Sequence, residues 1–249
     1  MSVPDFYDAL APWYHLVYQD WESTIARQGD ALSALIVNEW GSRARRVIDA
    51  AVGVGTQALG LVARGYGLIG ADIALGAVRR AVDESRRRGL QLRCVVADMR
   101  TLPFGDRVAD VVIACDNALP HLLSKDQIRI ALTEFIRCLR HGGGCVISLR
   151  DYGTPLVDGT VEIKQYGERR WGNRVGGLRQ VWRWHGSLYD LTFELIASDG
   201  SGGVLLSTPQ TTYFAIPPAV VAGLMQEVGF KGVHRVDGGL FQPVLVGTR

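Results

Sequence analysis

The sequence predicts an α/β fold: a mostly parallel seven-stranded sheet with helices on both faces and an inserted antiparallel sheet. Three observations predict it. Between Arg46 and Leu149, short apolar runs alternate with helical segments, and the first connection is glycine-rich. Those runs are continuously apolar, as expected of strands covered on both faces. After Tyr152 the runs lengthen and alternate in polarity between glycine turns, as in an antiparallel sheet with one solvated face.

The elements follow in order. Residues Asp5 to Tyr18 and Glu22 to Glu39 read as helices, with Ile25, Leu32, Leu35 and Ile36 at helical spacing. Trp40, Gly41 and Ser42 close the second, Gly41 being the residue past its end. Strands are expected at Arg46–Ala51, Gly67–Asp72, Leu92–Asp98, Ala109–Cys115 and Gly144–Leu149. Helices over Gln57–Arg64, Ala74–Arg88 and Gln127–Leu139 connect them. The insert supplies strands at Glu162–Tyr166, Leu178–Trp184, Leu188–Ala197 and Val204–Ile216. Pro217 and Pro218 open a last helix, where proline is tolerated, and Gly229-Phe230 ends it. Val233–Val236 and Val244–Gly247 complete the sheet. Three units are expected: a helical arm or lid (1–42), a core (43–152 with 217–249) and the insert (153–216).

Composition narrows the partners. The 27 Lys+Arg against 25 Asp+Glu leave a net charge of +2, so no strong field draws nucleic acid or an anionic membrane. No run approaches the roughly 18 apolar residues of a membrane span, and the first residues lack a signal sequence. A cytoplasmic location is expected. The cysteines (Cys94, Cys115, Cys138, Cys145) lie in apolar stretches without a C-x-x-C pair and read as buried hydrophobes in a reducing compartment. The five histidines show no metal-ligand spacing, so no metal is expected. Arg79-Arg80 and Arg86–Arg88 read as a solvated helix face. Arg169–Trp171 and Gln180–Trp184 interleave basic and aromatic residues, which strand alternation explains better than nucleic-acid binding.

The chemistry gathers at strand ends. Gly53-Val54-Gly55 makes a glycine turn between a buried strand and a helix, so backbone can approach a ligand. With Ala58 it also fits the dinucleotide fingerprint G-x-G-x-x-A. Asp49 in the lead-in argues against that reading, because a carboxylate there can bond the loop or a ligand's ammonium group. Asp72 ends the second strand and can take ribose hydroxyls, or cap the helix starting at Ala74. Asp98 ends the third, with Met99 offering a soft face to adenine; the plainer reading is a turn residue and a core filler. Asn117 lies just past the fourth strand and Arg150 past the fifth. All fall on the sheet edge where open α/β folds bind ligands.

Together with Ala97-Asp98-Met99 and the Leu139–Gly144 turn, these residues resemble the Rossmann-like class I S-adenosylmethionine-dependent methyltransferases, from about Phe6 to Arg249. Within that class the chain is most similar to glycine and glycine/sarcosine N-methyltransferases. The shared details are Asp49–Gly55, with Ala51 at the usual first glycine, the Asn117…His121 segment, Arg150 with Tyr152, and the insert. Azapteridine N-methyltransferases of toxin biosynthesis look like the same branch. The resemblance implies S-adenosylmethionine as cofactor, S-adenosylhomocysteine as product, and in-line methyl transfer to a neutral nitrogen of a small molecule. It implies that Asp49, Ala51, Gly53 and Gly55 line the cofactor's methionine and ribose, and that Asp72 with Ile73 holds the ribose. Asp98 and Met99 would bracket adenine, Cys115 would offer backbone contact, and Tyr14 and Arg27 would reach the methionyl part. Tyr7, Tyr18, Asn117 and Arg150 would form the catalytic pocket, Arg150 holding a carboxylate or carbonyl in a forked pair.

Departures from the pattern also carry expectations. Val52 replaces a cysteine. Asp151 stands where the relatives have asparagine, placing a negative charge beside Arg150 and weakening glycine-like recognition. The arm is shorter than in the tetrameric animal enzymes, so no assembly is implied. Tyr7, Trp13, Tyr14, Tyr18 and Trp21 read as a lid over a sulfonium or as packing residues. His15 and His121 read as optional bases or as structural histidines. The alternatives are O-methylation of a small metabolite, a nicotinamide-dependent oxidoreductase on the glycine fingerprint, and a non-catalytic ligand-binding protein.

Overall fold

Five parallel strands carry the main sheet: β1 (Arg46–Asp49), β2 (Gly67–Asp72), β3 (Arg93–Val96), β4 (Ala109–Ala114) and β5 (Leu139–Ser148). The computed structural model describes residues 1–153, 157–171, 174–198, 203–207 and 209–249. In space the strands run β5-β4-β1-β2-β3, and the chain changes winding direction between β1 and β4. A crevice therefore opens at the carboxyl ends of those two strands. The last two strands extend the β5 edge: β12 (Val244–Thr248) runs antiparallel to β5, and β11 (Lys231–Val236) antiparallel to β12.

Both faces of the sheet are covered, which explains the continuous apolar runs. Ile48, Val112 and Ile147 face one way and pack on α5 (Lys125–Cys138) and α6 (Pro218–Glu227) through Ile128, Leu132, Phe135 and Met225. Their neighbours Val47, Val111, Ile113 and Val146 face the other way. There they meet α2 (Trp21–Trp40), α3 (Thr56–Val62) and α4 (Leu75–Arg87) through Leu32, Ile36, Leu59 and Ala81. No helix among the described residues is long and apolar enough to cross a membrane.

α2 and α3 cross at two glycines. A Cβ on Gly60 would lie 2.5 Å from the Ile25 carbonyl oxygen and 2.8 Å from the Gly29 Cα. Both are backbone atoms and neither can rotate away. Alanine gains about 1 kcal/mol in helix propensity over glycine, but separating two packed helices costs about 1–3 kcal/mol or more. Gly60→Ala is therefore expected to lower the urea midpoint with an unchanged m-value; an unchanged midpoint would contradict the close crossing.

The arm begins with α1 (Val3–Leu10), capped by Ser2 and Asp5 in a reciprocal box, and continues through a 3-10 turn at Tyr14–Val17. Asp8 Oδ1 accepts from the Gly76 N–H (2.6 Å), and Arg80 donates to the Pro12 carbonyl (3.2 Å), tying the arm to α4.

The insert forms β6 (Val161–Trp171), β7 (Arg174–His185), β8 (Leu188–Ser198), β9 (Gly203–Ser207) and β10 (Gln210–Phe214), all antiparallel. The order is β10-β8-β7-β6, with β9 also on β8. The strand expected over Val204–Ile216 is thus two strands; position 208 within it lies outside the described residues. Pro209 separates them, having no N–H for the ladder. Alternate residues Leu178, Trp182 and Trp184 of β7, with Tyr189 and Phe193 of β8, pack on Phe6, Leu10 and Leu16 of the arm. The arm thereby becomes a wall between the insert and the crevice.

Two expectations are corrected, although Arg79, Arg86 and Arg87 are exposed as expected. Arg80 and Arg88 are not a solvated face: they bind the buried Glu84 carboxylate, joined by Arg87, and lie over the Trp21 ring. β5 starts at Leu139 directly after α5, five residues before the expected Gly144, with a register shift against β4 absorbing the extra length.

Candidate active site

After β1 the chain turns through Gly53 (φ +52°) and Gly55 (φ +94°), a backbone conformation that side-chained residues adopt only at a cost. The turn is pinned to β2. The Val52 N–H donates to the Ala71 carbonyl (2.9 Å), and the Gly53 N–H donates to Asp72 Oδ2 (2.8 Å). Asp72 Oδ1 accepts from the Ala74 N–H (2.9 Å), so one carboxylate holds both the turn before α4 and the glycine loop. Asp72 is not the helix cap: the N-cap of α4 is Ala74, without a side-chain cap, and Asp72 holds the turn before it while each carboxylate oxygen keeps a further acceptor site.

Above this loop lies a cavity of about 270 Å³. Ala51, Gly53, Asp72, Ile73, Asp98, Met99 and the Cys115 residue line it, and Tyr7 and Tyr14 of the arm close one side. Asp72 and Asp98 thus share one cleft. Gly55 does not line it: its Cα faces α4, where a Cβ would meet the Ala81 Cβ at 3.3 Å. Asp49 lies beneath the floor, 1% exposed. Its Oδ1 accepts from the Ala51 N–H (3.2 Å), while its buried Oδ2 has no partner.

Burial pushes the Asp49 carboxyl up to about 7; the Ala51 N–H opposes the shift and the charge of Asp72 adds to it. The native state therefore keeps this proton to about pH 7, whereas an unfolded aspartate releases it near pH 4. From about pH 4 to 7 the group progressively favours unfolding as pH rises. Thermal melts of the ligand-free protein should lose stability over that window, and Asp49→Asn should flatten the slope; identical slopes would refute the buried orphan. Asp98 behaves oppositely. Hydrogen bonds from Arg100, chiefly its side chain, hold its carboxyl below the usual range, and Arg100 also binds Gln127.

A second cavity of about 200 Å³ adjoins the first. Tyr7, Tyr14 and Asp116 line both. Tyr18, Asn117 and Arg150 face the second, with Gln180, Trp182, Tyr189 and Tyr213 of the insert. Asn117 organises this end. Its Oδ1 accepts from the Arg150 N–H (2.9 Å), and its Nδ2 donates to the Tyr152 hydroxyl (3.1 Å). The Arg150 guanidinium lies 4.3 Å over the Trp182 ring, and its buried Nε has no hydrogen-bond partner. Trp182 stacks on Tyr189 (4.6 Å) and Tyr189 on Tyr213 (5.2 Å), extending one aromatic wall.

Several expectations shift. Arg27, which the resemblance assigns to the methionyl end, lines the second cavity and not the first, because its turn of α2 borders that cavity. Asp151 does not neutralise Arg150: it is exposed and pairs with Arg235 at 2.6 Å. Successive residues leaving a strand point to opposite sides, which sends Arg150 inward and Asp151 out. Trp13 and Trp21 border neither cavity; Trp13 joins the arm–insert core, and Trp21 Nε1 donates to Thr56 Oγ1 (2.9 Å). His15 also lies off both. His121 lines the first cavity, half-buried and neutral; desolvation of its ring holds its pKa down to about 3, and it shares a 2.7 Å hydrogen bond with the Tyr7 hydroxyl. Sequence reasoning missed Asp116, Gln180, Trp182, Tyr189 and Tyr213. Alternation across the insert singles out the last four only as an inward face.

The profile of the methyltransferase domain matches residues 47–143. The glycine/sarcosine N-methyltransferase of Parasynechococcus marenigrum is 30% identical over 234 residues, covering 93% of this chain and 76% of that protein. DesVI of Streptomyces venezuelae superposes with a TM-score of 0.81 at 18% identity, over 96% of this chain and 97% of DesVI. CalS10, a SAM-bound amino pentose methyltransferase from Micromonospora echinaspora, superposes with a TM-score of 0.75 at 19% identity, over 90% and 91% of the two chains.

Proposed function

We propose an acceptor class for this chain, which belongs to the class I S-adenosylmethionine-dependent methyltransferases: a small molecule methylated at nitrogen and carrying a carboxylate or carbonyl for Arg150. S-adenosylmethionine supplies an electrophilic methyl group on a positive sulfur. The residues of the first cavity suit such a group. Asp72 and Asp98 flank one cleft, and Gly53 leaves open space where a side chain would stand. On this reading Asp49, beneath the floor, holds the Ala51 N–H of the loop, and Asp72, beside Ile73, holds the ribose. Asp98 and Met99 border adenine.

The observation that carries the reading is the seam, where Tyr7, Tyr14 and Asp116 border both cavities. A nitrogen in the second cavity can come within about 3–3.5 Å of a methyl carbon presented from the first. Tyrosine faces tolerate positive charge there without competing as nucleophiles. Arg150, with its free buried Nε, anchors the far end of the acceptor, and Tyr18 and Asn117 complete the wall. The glycine/sarcosine N-methyltransferase relative supports nitrogen as the acceptor atom.

The test is direct. Purified protein with S-adenosylmethionine is offered glycine, sarcosine, an amino pentose and an azapteridine, with S-adenosylhomocysteine release as readout. NMR of the product should place the new methyl on nitrogen. A methyl on oxygen, or release with none of the amines, would overturn the proposal. Calorimetry should also show S-adenosylhomocysteine binding and no binding of NAD.

A further inference from the structure

Asp116 occupies the seam in an unusual way. It follows β4 with φ +59°, and Asn117 after it has φ +65°, two consecutive left-handed residues without a glycine. Aspartate and asparagine tolerate that region best among side-chained residues, and such conformations persist where the surroundings enforce them. The enforcement comes from the end of β5: the Asp116 N–H donates to Ser148 Oγ (2.7 Å) and the Asn117 N–H to the Ser148 carbonyl (3.0 Å). The turn aims the Asp116 carboxylate at the boundary between the two cavities.

That carboxylate is prepared as an acceptor. Tyr14 (3.1 Å) and Tyr18 (2.8 Å) both donate their hydroxyls to Oδ2. Among the described residues the side-chain hydrogen bonds of Asp116 are those two, both to Oδ2, and none comes from a cation. Every other carboxylate on the cavity walls is engaged: Asp72 by backbone N–H groups and Asp98 by Arg100. Oδ2 is thus committed to the two tyrosines, while Oδ1 stays open to a donor arriving in either cavity.

We propose that Asp116 receives the N–H of the acceptor nitrogen, a reading that rests on nitrogen being the methylated atom. The N–H···Oδ1 hydrogen bond turns the nitrogen lone pair toward the first cavity. As the lone pair forms the new N–C bond, the electron pair of the S–C bond stays on sulfur, and positive charge arrives on nitrogen beside the carboxylate. The proton then passes from nitrogen to Asp116 and on to water. Arg150 at one end and Asp116 at the other make the second cavity dipolar, so it selects acceptors with an N–H group at one end and an anionic or carbonyl oxygen at the other.

Asp116→Asn isolates the charge, because asparagine keeps the left-handed backbone and an oxygen for the tyrosine hydroxyls. The probe is dimethylammonium chloride, titrated by NMR into each protein saturated with S-adenosylhomocysteine. The parent should bind it saturably and the variant roughly tenfold more weakly, as expected for loss of one charge-assisted hydrogen bond. S-adenosylhomocysteine affinity should agree within about threefold between the two. With any acceptor that turns over, kcat of the variant should fall roughly 100-fold, in the range of a lost acid–base partner. No binding of the probe by the parent, or equal binding by both proteins, overturns the proposal. If the probe discriminates but no amine is methylated, the nitrogen reading fails and the cation site stands. If amines are N-methylated and Asp116→Asn is fully active, the assignment of Asp116 fails alone.

Discussion

Asp72→Ala is expected to weaken S-adenosylhomocysteine binding by at least about 100-fold while the chain still folds. Each hydrogen bond to a charged acceptor contributes about 1.5–3 kcal/mol, and two ribose hydroxyls facing one carboxylate bring the sum past the roughly 2.8 kcal/mol that 100-fold requires. The loss has a second source within the protein. Asp72 holds the Gly53 and Ala74 N–H groups, so its removal also frees the glycine loop and unsettles the start of α4. A stability loss of about 1–3 kcal/mol should accompany it, the scale expected when buried backbone donors lose their acceptor. Asp72→Asn keeps one oxygen and should fall between the two proteins. Calorimetry and urea unfolding on the three separate the effects; affinity within threefold of the parent in Asp72→Ala would remove Asp72 from the site.

Arg150→Ala should do the reverse, damaging acceptor use and sparing the cofactor. Its Nε is buried without a partner and its guanidinium rests on Trp182, so the side chain is held in place and not fully satisfied. An arriving carboxylate or carbonyl completes it with charge-assisted bonds, and truncation should cut kcat/KM by about 10²–10³. S-adenosylhomocysteine affinity should stay within about threefold. Arg150→Lys should recover only part of the loss, because an ammonium cannot form the planar fork. Equal damage to cofactor and acceptor would remove Arg150 from the acceptor end.

The site divides cleanly by how far each residue's position depends on distant chain. Ala51, Gly53, Asp72, Asp98, Met99, Asn117 and Arg150 were legible because each ends a strand or sits just past one. In a parallel sheet all such ends share a rim. Asp151 was misjudged because adjacency in sequence suggested adjacency in space, whereas alternation sends it to Arg235. Arg80 and Arg88 were misjudged because a run of charges looks solvated until a buried Glu84 is found beneath it. The resemblance implies cofactor contact for Arg27 and Gly55, but neither lines the first cavity: Arg27 borders the second, and the Gly55 Cα faces α4.

By itself, the order of residues determined the layered α/β architecture, the glycine turn and the rim on which the acidic residues stand. These depend on periodicity and on local backbone preference, which act over a few residues. Only tertiary structure decided that two cavities meet at Tyr7, Tyr14 and Asp116, and that Trp182, Tyr189 and Tyr213 wall the second. Those contacts join α1, the end of β4 and three strands of the insert. Their partners are chosen by packing the arm between two sheets, an interaction between faces that no local pattern encodes.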